Sequence, residues 1–154
     1  MPRHIEFISE EEGLTARAEL LEEKAPKTCE LVWGLLPFTG YFEHGIYSGA
    51  ELAMHLPNFL EIEPENATYA VLPWEIAFAS IRSCDYIDLP NDLSEICFFY
   101  DRGARPSMVE GPVKVNVFAR FIDGQASLYD LCCRVRKEGW KRFTVRRVID
   151  SKGE

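Results

Sequence analysis

The chain has no hydrophobic run that approaches the roughly 20 residues a membrane-spanning helix needs. Its first residues, MPRHIEFISEEE, also lack the apolar centre of a secretory signal. Together these two absences predict a cytoplasmic protein without a membrane partner.

Cysteine and histidine are too sparse and too scattered to indicate a metal site or a disulfide framework. The five cysteines are an odd number, and no two of them are spaced as C-x-x-C. The three histidines form neither an H-x-H nor an H-x-x-x-H pair. Glycine-rich phosphate loops are absent as well. We therefore expect reduced cysteines, no metal and no cofactor. The residues concerned are Cys29, Cys84, Cys97, Cys132, Cys133, His4, His44 and His55.

Positive charge is in deficit, because 17 Lys and Arg face 25 Asp and Glu and leave a net charge of -8. Phosphate backbones are bound mainly by Lys and Arg, so nucleic acid is not expected as a partner. The basic residues concentrate from Arg134 onward. We interpret that segment as a solvated helix and strand face that balances the acidic N-terminal half, with a contact surface of a homo-oligomer as the alternative.

The rest of the composition is typical of a folded domain. Hydrophobic residues make up 47% and aromatic residues 12% of the 154 residues, which is enough to bury a sizeable core. No repeat, low-complexity tract or linker divides the chain. A single domain over residues 1–154 is predicted.

The segment AELLEEKAPKTCELVWGLLP, residues 18–37, runs from a strand pattern into a short amphipathic helix. Pro26 suits the first helical turn, since its missing N–H would have no partner there, and Pro37 ends the unit. The spacing places Cys29, Val32, Trp33 and Leu36 on one helix face. A helix this short is marginal alone, so this face is expected to pack on a sheet.

Most of the other segments are short strands. Alternating patterns predict strands at 4–8, 14–21, 40–47, 50–56, 69–72, 76–81, 95–100, 113–122 and 143–150, with loops at 58–66 and 106–112. A second helix is predicted over 126–137, ended by Gly139. Many short strands with only two helices favour a mainly β fold. Its expected form is a closed, mostly antiparallel barrel, because closure removes exposed strand edges.

The strand at 113–122 has the clearest alternation. Val115, Val117, Ala119 and Phe121 are predicted to point one way, and Asn116, Phe118 and Arg120 the other.

The segment YFEHGIYSGAELAMH, residues 41–55, has the densest mixture of polar and aromatic residues. A His with a Glu nearby can act as an acid or base near neutral pH, so His44 and Glu51 are the candidate catalytic residues. A Ser48–His44 nucleophile pair lacks a supporting carboxylate in the pattern. The alternative is an exposed His and a Glu on a strand face without a catalytic role.

A second candidate cluster is FFYDRGARP, residues 98–106. Its arginines could present guanidinium groups to an anionic ligand. Asn116 interrupts an apolar strand, where a buried polar group needs a partner or a ligand. The alternative is that the arginines stabilise a turn and Asn116 bonds to the backbone. The candidate ligand-binding residues are Tyr41, Ser48, Trp74, Tyr100, Arg102, Asn116 and Phe118.

Residues 18–37 also resemble the opening of cyclophilins, in which a strand leads through Ala-Pro-Lys-Thr into the first helix. The segments SGAELAMHLP, PWEIAFASI, SEICFFYD and VKVNVFARF are similar to a bacterial family of unknown function with a cyclophilin-like barrel. The resemblance spans Ala18 to Trp140 and rests on the collinear order of these short matches. It implies a mainly antiparallel β-barrel flanked by two helices.

The resemblance does not carry proline isomerisation with it. Cyclophilins place a catalytic Arg after the first helix and a Gln on the next strand, and YFEHGIYSGAELAMH contains neither. Without a cation at the amide nitrogen, the twisted peptide bond loses its stabilisation. The leading hypothesis is a protein that binds, and on one reading transforms, a small polar metabolite of amide or ureide type, an analogy at the level of the fold. An atypical peptidyl-prolyl isomerase and a non-enzymatic oligomeric module are the alternatives.

Overall fold

The structure, a computed structural model, describes residues 2–149. Its strands are β1 His4–Ser9, β2 Leu14–Leu20, β3 Phe38–His44, β4 Glu51–His55, β5 Ala67–Thr68, β6 Glu75–Ile81, β7 Leu93–Phe99, β8 Ser107–Met108, β9 Gly111–Pro112, β10 Val115–Asp123 and β11 Lys141–Arg147. Its helices are α1 Pro26–Leu35 and α2 Gln125–Glu138, with one 3-10 turn at Ser83–Asp85.

Eight of the strands close into an antiparallel barrel in the order β2, β1, β11, β3, β4, β7, β6, β10. Pairing of β10 with β2 closes the ring, with Ala119 opposite Leu20 and Phe121 opposite Ala18. The short strand β5 adds to β10, and β8 and β9 form a separate small hairpin. The predicted fold class, a closed and mainly antiparallel barrel with two helices, is confirmed.

The two helices cover opposite ends of the barrel. α1 follows the end of β2, where the Cys29 thiol contacts the Phe118 carbonyl oxygen at 3.3 Å. α2 packs at the start of β2, where Gly124 lies against Thr15 and Ala16. The predicted apolar faces are confirmed, since their central residues are buried in the barrel core. These residues are Cys29 and Val32 in α1, and Leu128, Leu131, Cys132 and Val135 in α2.

Phenylalanine rings fill the barrel interior. Phe98 contacts both Phe42 and Phe121 edge to face, with ring centroids 5.1 and 5.2 Å apart. Phe7 packs on Phe121 at 4.9 Å. Offset and edge-to-face contacts of this kind are preferred by aromatic rings and add to the burial of their area. The barrel is therefore a packed core and not an internal ligand cavity.

The predicted alternation of β10 is wrong from Ala119 onward. The register shifts between Val117 and Ala119, so a bulge reverses the faces of the residues that follow. Val117 lies in a cluster on the outside of the barrel, whereas Phe118, Ala119 and Phe121 all lie in the core.

A second apolar layer covers the outer face of β4, β7, β6 and β10. Small side chains form its floor, and the loops after β6 and β7 close over it with Tyr86, Leu89, Ala104 and Met108. The buried floor residues are Ala53, Ala77, Ala79 and Cys97. This layer positions the site described below.

The structure agrees with some of the other predicted strands and loops and differs from others. The strand predicted at 69–72 is wrong, since the extended pairing there covers only Ala67–Thr68. The loop predicted at 106–112 contains the β8–β9 hairpin, whereas the loop at 58–66 is confirmed. The last strand ends at Arg147, and the predicted end at residue 150 lies outside the described residues. Neither of the two described α-helices has the length and apolarity to cross a membrane.

Several basic side chains of the C-terminal segment form ion pairs within the chain. Arg134 and Lys141 both contact the Glu12 carboxylate, at 2.7 and 3.0 Å. Arg146 pairs with Glu6 at 2.8 Å. These contacts fit the interpretation of a face that balances acidic residues, while the homo-oligomer stays a prediction.

Candidate functional site

The loop between β3 and β4 separates two cavities, and the sequence-predicted residues divide between them. Ser48 and Glu51 line a small cavity on the outer face of the barrel. His44, Tyr100 and Arg102 line an open cleft beside α2. The structure therefore brings five of the nine candidates to two neighbouring places instead of one pocket.

The other four candidates lie elsewhere. Tyr41 is exposed on β3 opposite Arg142, and Trp74 packs edge to face on Phe121 at 6.1 Å. Phe118 is fully buried in the core.

Asn116, the fourth of these, forms hydrogen bonds with every part of its side-chain amide. Its oxygen accepts from the Glu65 N–H at 3.1 Å, and its nitrogen donates to the Thr28 hydroxyl and the Glu63 carbonyl oxygen at 3.2 and 3.0 Å. This polar group connects β10 to α1 and the 58–66 loop.

The cavity on the outer face, about 30 Å³ in volume, contains a pair of carboxyl groups. The carboxylate oxygens of Glu51 and Glu95 and the Cys97 thiol all lie within 4.8 Å of one another. Cross-strand pairing leaves space for these side chains above the sheet, because Cys97 is flanked by Ala53 and Ala77 on its two neighbouring strands. Alanine side chains end at Cβ, so the longer glutamates can meet above the sheet.

Both carboxyl groups are largely removed from water. Glu51 is 5% exposed, and the Glu95 side chain is 14% exposed. Glu51 extends over Gly45, where an added Cβ would overlap its carboxylate oxygen. On the other side, the Ser48 hydroxyl accepts the Ser107 N–H at 2.9 Å and so ties the β8–β9 hairpin over the cavity.

Burial makes these carboxyl groups unusually hard to ionise. It raises the pKa of Glu51 to about 7, although the neighbouring Ser48 hydroxyl and Cys97 thiol favour the ionised form. Burial and then the Glu51 charge raise the pKa of Glu95 to about 8. Burial likewise raises the pKa of the Cys97 thiol. The pair thus retains at least one proton at neutral pH.

His55 links the pair to solvent. Its Nε2 atom lies 3.5 Å from a Glu95 oxygen and 3.9 Å from a Glu43 oxygen, and half of its side chain is exposed. The ring therefore lies between the buried Glu95 carboxyl group and solvent.

The same three buried groups have the donor types of a metal site. Two carboxylates and a thiolate could together hold a divalent cation. Such a cation would have to displace the protons that burial retains on Glu51, Glu95 and Cys97.

The cleft beside α2 is larger, about 420 Å³, and more polar. His44 Nε2 lies 2.6 Å from the Tyr100 hydroxyl. His44 Nδ1 lies 2.9 Å from the Gly45 carbonyl oxygen and 3.1 Å from Arg136 Nε, which compete for that one nitrogen. Burial, followed by the Arg136 charge, lowers the pKa of His44. His44 is therefore neutral at neutral pH and adds no charge to the cleft.

The sequence reasoning missed Glu95, Cys97, His55 and Arg136. Glu95 and Cys97 share a parity in β7 that could have placed them on one face. Their approach to Glu51, however, depends on the pairing of β4 with β7, which are separated by about 40 residues of chain. The sequence pattern predicts Arg136 on a solvated helix face, and only the docking of α2 brings it to His44.

An eight-stranded antiparallel barrel with a helix over each end is the cyclophilin-like fold. Residues 8–146 match the family described as "Protein of unknown function (DUF3830)", and the chain belongs to that family. A search of curated proteins finds no match.

Three solved structures illustrate the similarity of fold. McbB, in complex with tryptophan, is 20% identical with a TM-score of 0.61, over 97% of this chain but only 45% of McbB. The hypothetical protein AF2241 from Archaeoglobus fulgidus is 19% identical with a TM-score of 0.58, over 96% of this chain and 95% of that one. A cyclophilin-type peptidyl-prolyl cis-trans isomerase of Cryptosporidium parvum is 15% identical with a TM-score of 0.60, over 97% and 99%. Identities this low establish the fold alone.

Proposed function

We propose that the protein binds a small polar metabolite at the Glu51–Glu95 pair and uses the pair as a general acid and base. One observation carries this proposal, namely two buried carboxyl groups and a thiol that meet within 4.8 Å at a cavity. Titratable groups with displaced pKa values in a cavity are candidates for a functional site.

The chemistry follows from unequal protonation of the two carboxyl groups. When one is protonated and the other ionised, the first donates a proton to a ligand oxygen or nitrogen, and the second accepts one from a ligand N–H or from water. An amide or urea edge offers this combination of acceptor and donor. The ligand class expected from the fold analogy is thus compatible with the pair.

Ligand entry requires a movement of the segment that covers the cavity. A volume of about 30 Å³ holds little more than one water molecule. Two hydrogen bonds attach the covering segment to Ser48. The Ser107 backbone N–H donates to the Ser48 hydroxyl, and the Arg105 backbone N–H donates to the Ser48 carbonyl oxygen, both at 2.9 Å. Outward movement of residues 105–113 would open the carboxyl pair to a metabolite.

A metabolite-library screen by thermal shift tests the proposal with E51Q and E95Q beside the wild type. Amides, ureas and their cyclic forms should stabilise the wild type, and each Gln variant should lose most of that stabilisation. Glu23 is exposed and forms no ion pair among the described residues, so E23Q is the matched control and should behave as the wild type. A ligand that stabilises E51Q and E95Q as strongly as the wild type would show that the pair is not its site.

A further inference from the structure

We propose a second, independent site, in which the cleft beside α2 binds the carboxylate of a small aromatic or otherwise planar organic acid. This site shares no residue with the Glu51–Glu95 cavity and does not depend on the function proposed for it. Its walls are His44, Tyr100, Arg102, Tyr129 and Arg136.

Uncompensated positive charge is the first argument. Arg102 and Arg136 form no ion pair with a carboxylate among residues 2–149, and the two lie together in one cleft. A guanidinium group presents a planar fork of donors that matches a carboxylate.

The acidic residue that lines the described cleft, Asp101, is already engaged. One of its oxygens accepts a hydrogen bond from the Arg102 backbone N–H at 2.8 Å, and the other accepts one from the Tyr129 hydroxyl at 3.2 Å. Neither contact involves a guanidinium group, so Asp101 lowers the net positive charge without occupying the donors of either arginine.

The contacts that hold the Arg136 guanidinium group are the second argument. Its Nη2 donates to the Gly45 carbonyl oxygen at 3.1 Å, and its Nε lies 3.1 Å from His44 Nδ1. Its Nη1 has no hydrogen-bond partner among residues 2–149. A held guanidinium group with free donors loses less side-chain entropy on binding an anion than a mobile one.

Aromatic surface and size indicate the rest of the ligand. Tyr100 and Tyr129 meet edge to face with centroids 5.9 Å apart and supply flat apolar surface beside the arginines. The volume of about 420 Å³ lies in the range of small-molecule sites. The forked donors suit a carboxylate or a phosphate, and the two flat rings favour a planar acid over a tetrahedral phosphate.

Titration of the wild-type protein with benzoate, followed by two-dimensional NMR, tests this site. Saturable shifts are expected at His44, Tyr100 and Arg136, with none from the neutral analogue benzamide. R136A and R102A should each weaken benzoate binding about tenfold, the usual effect of losing one charge-assisted contact. R136K keeps the charge without the fork and should fall between the wild type and R136A.

The control is R142A, since Arg142 is exposed on β11 and forms no ion pair among the described residues. It should bind benzoate as the wild type does. If R142A lost as much benzoate affinity as R136A and R102A, the loss would be due to the overall charge of the protein and not to the cleft. Benzoate should also raise the pKa of His44, because an anion beside the ring favours the imidazolium ion. Equal binding of benzamide, tighter binding of inorganic phosphate, or no saturable shifts at these residues would each overturn the carboxylate site.

Discussion

Small residues around Glu51 and Glu95 leave the space that the two carboxyl groups occupy. Ala53 and Ala77 flank Cys97, and Ala79 lies opposite Glu95, so no bulky side chain fills the space into which the glutamates extend. Gly45 leaves room for the end of Glu51. A larger side chain at any of these positions would displace a carboxyl group.

The raised pKa values of the pair predict a fall in stability as the pH rises from about 5 to about 8. In this range the unfolded chain releases protons from Glu51 and Glu95, whose ordinary pKa is 4.5, while the folded chain retains them until about 7 and about 8. The unfolded state then binds fewer protons, so the free energy of unfolding decreases, by up to about 1.4 kcal/mol per pH unit for each proton that only the folded state holds. Urea denaturation at several pH values measures this slope.

The comparison that isolates the pair is wild type against the double variant E51Q/E95Q. The lowered pKa of His44 acts in the opposite direction up to its ordinary value of 6.5, and this contribution is common to both proteins. The double variant should therefore show a flatter or rising profile, and E23Q should reproduce the wild-type slope. Parallel profiles for wild type and double variant would mean that the two carboxyl groups ionise as they do in water.

Individual elements were predicted well where the pattern was local. Both helices were predicted from their apolar spacing, and most strands from alternation. The face reversal in β10 could not be predicted, since the bulge after Val117 is set by pairing with β6 and not by the composition of β10. Strand pairing also explains the carboxyl pair. Glu51 could be selected from the residues of its own segment, whereas Glu95 becomes its partner only through the pairing of β4 with β7.

At the start of α2, Gly124→Ala is expected to be strongly destabilising. Gly124 has a φ of +86°, and an added Cβ would lie 2.7 Å from the Thr15 carbonyl oxygen and 2.9 Å from the Ala16 Cα. Left-handed backbone and a clash with backbone atoms together should cost about 2 kcal/mol or more. The free energy of unfolding from denaturant titration measures the loss.

Gly34→Ala is the matched control, because Gly34 lies exposed in α1 and an added Cβ would meet nothing within 4 Å. Alanine restricts the unfolded chain and favours the helix, so this variant should gain about 0.5 kcal/mol. If the two variants proved equally stable, the close approach of Gly124 to β2 would be disproved.

The whole molecule has the cyclophilin-like barrel. The segment YFEHGIYSGAELAMH forms the β3–β4 hairpin, and the outer face of β4, β7 and β6 presents carboxyl groups and small residues. The closed, mainly antiparallel barrel was predictable from strand number and the resemblance, whereas the strand order was not predicted. The division of the candidate residues between two cavities was not, because it depends on which loops fold over the outer face.

We expect no peptidyl-prolyl isomerase activity at the Glu51–Glu95 pair. Stabilisation of a twisted proline peptide needs a cation near the amide nitrogen, and a carboxyl pair with retained protons supplies none. A protease-coupled assay should give the uncatalysed rate of cis/trans exchange. Acceleration that persists in E51Q/E95Q would place an isomerase site elsewhere on the molecule.

The loop between β3 and β4 has a consequence for how the two cavities behave together. Ser48 faces the carboxyl pair, Gly49 and Ala50 face the cleft, and one short backbone segment is thus a wall of both. This shared segment is where binding in the cleft could influence proton uptake by the pair. If benzoate in the cleft changes the proton affinity of the pair by some factor, protonation of the pair must change the affinity for benzoate by that same factor.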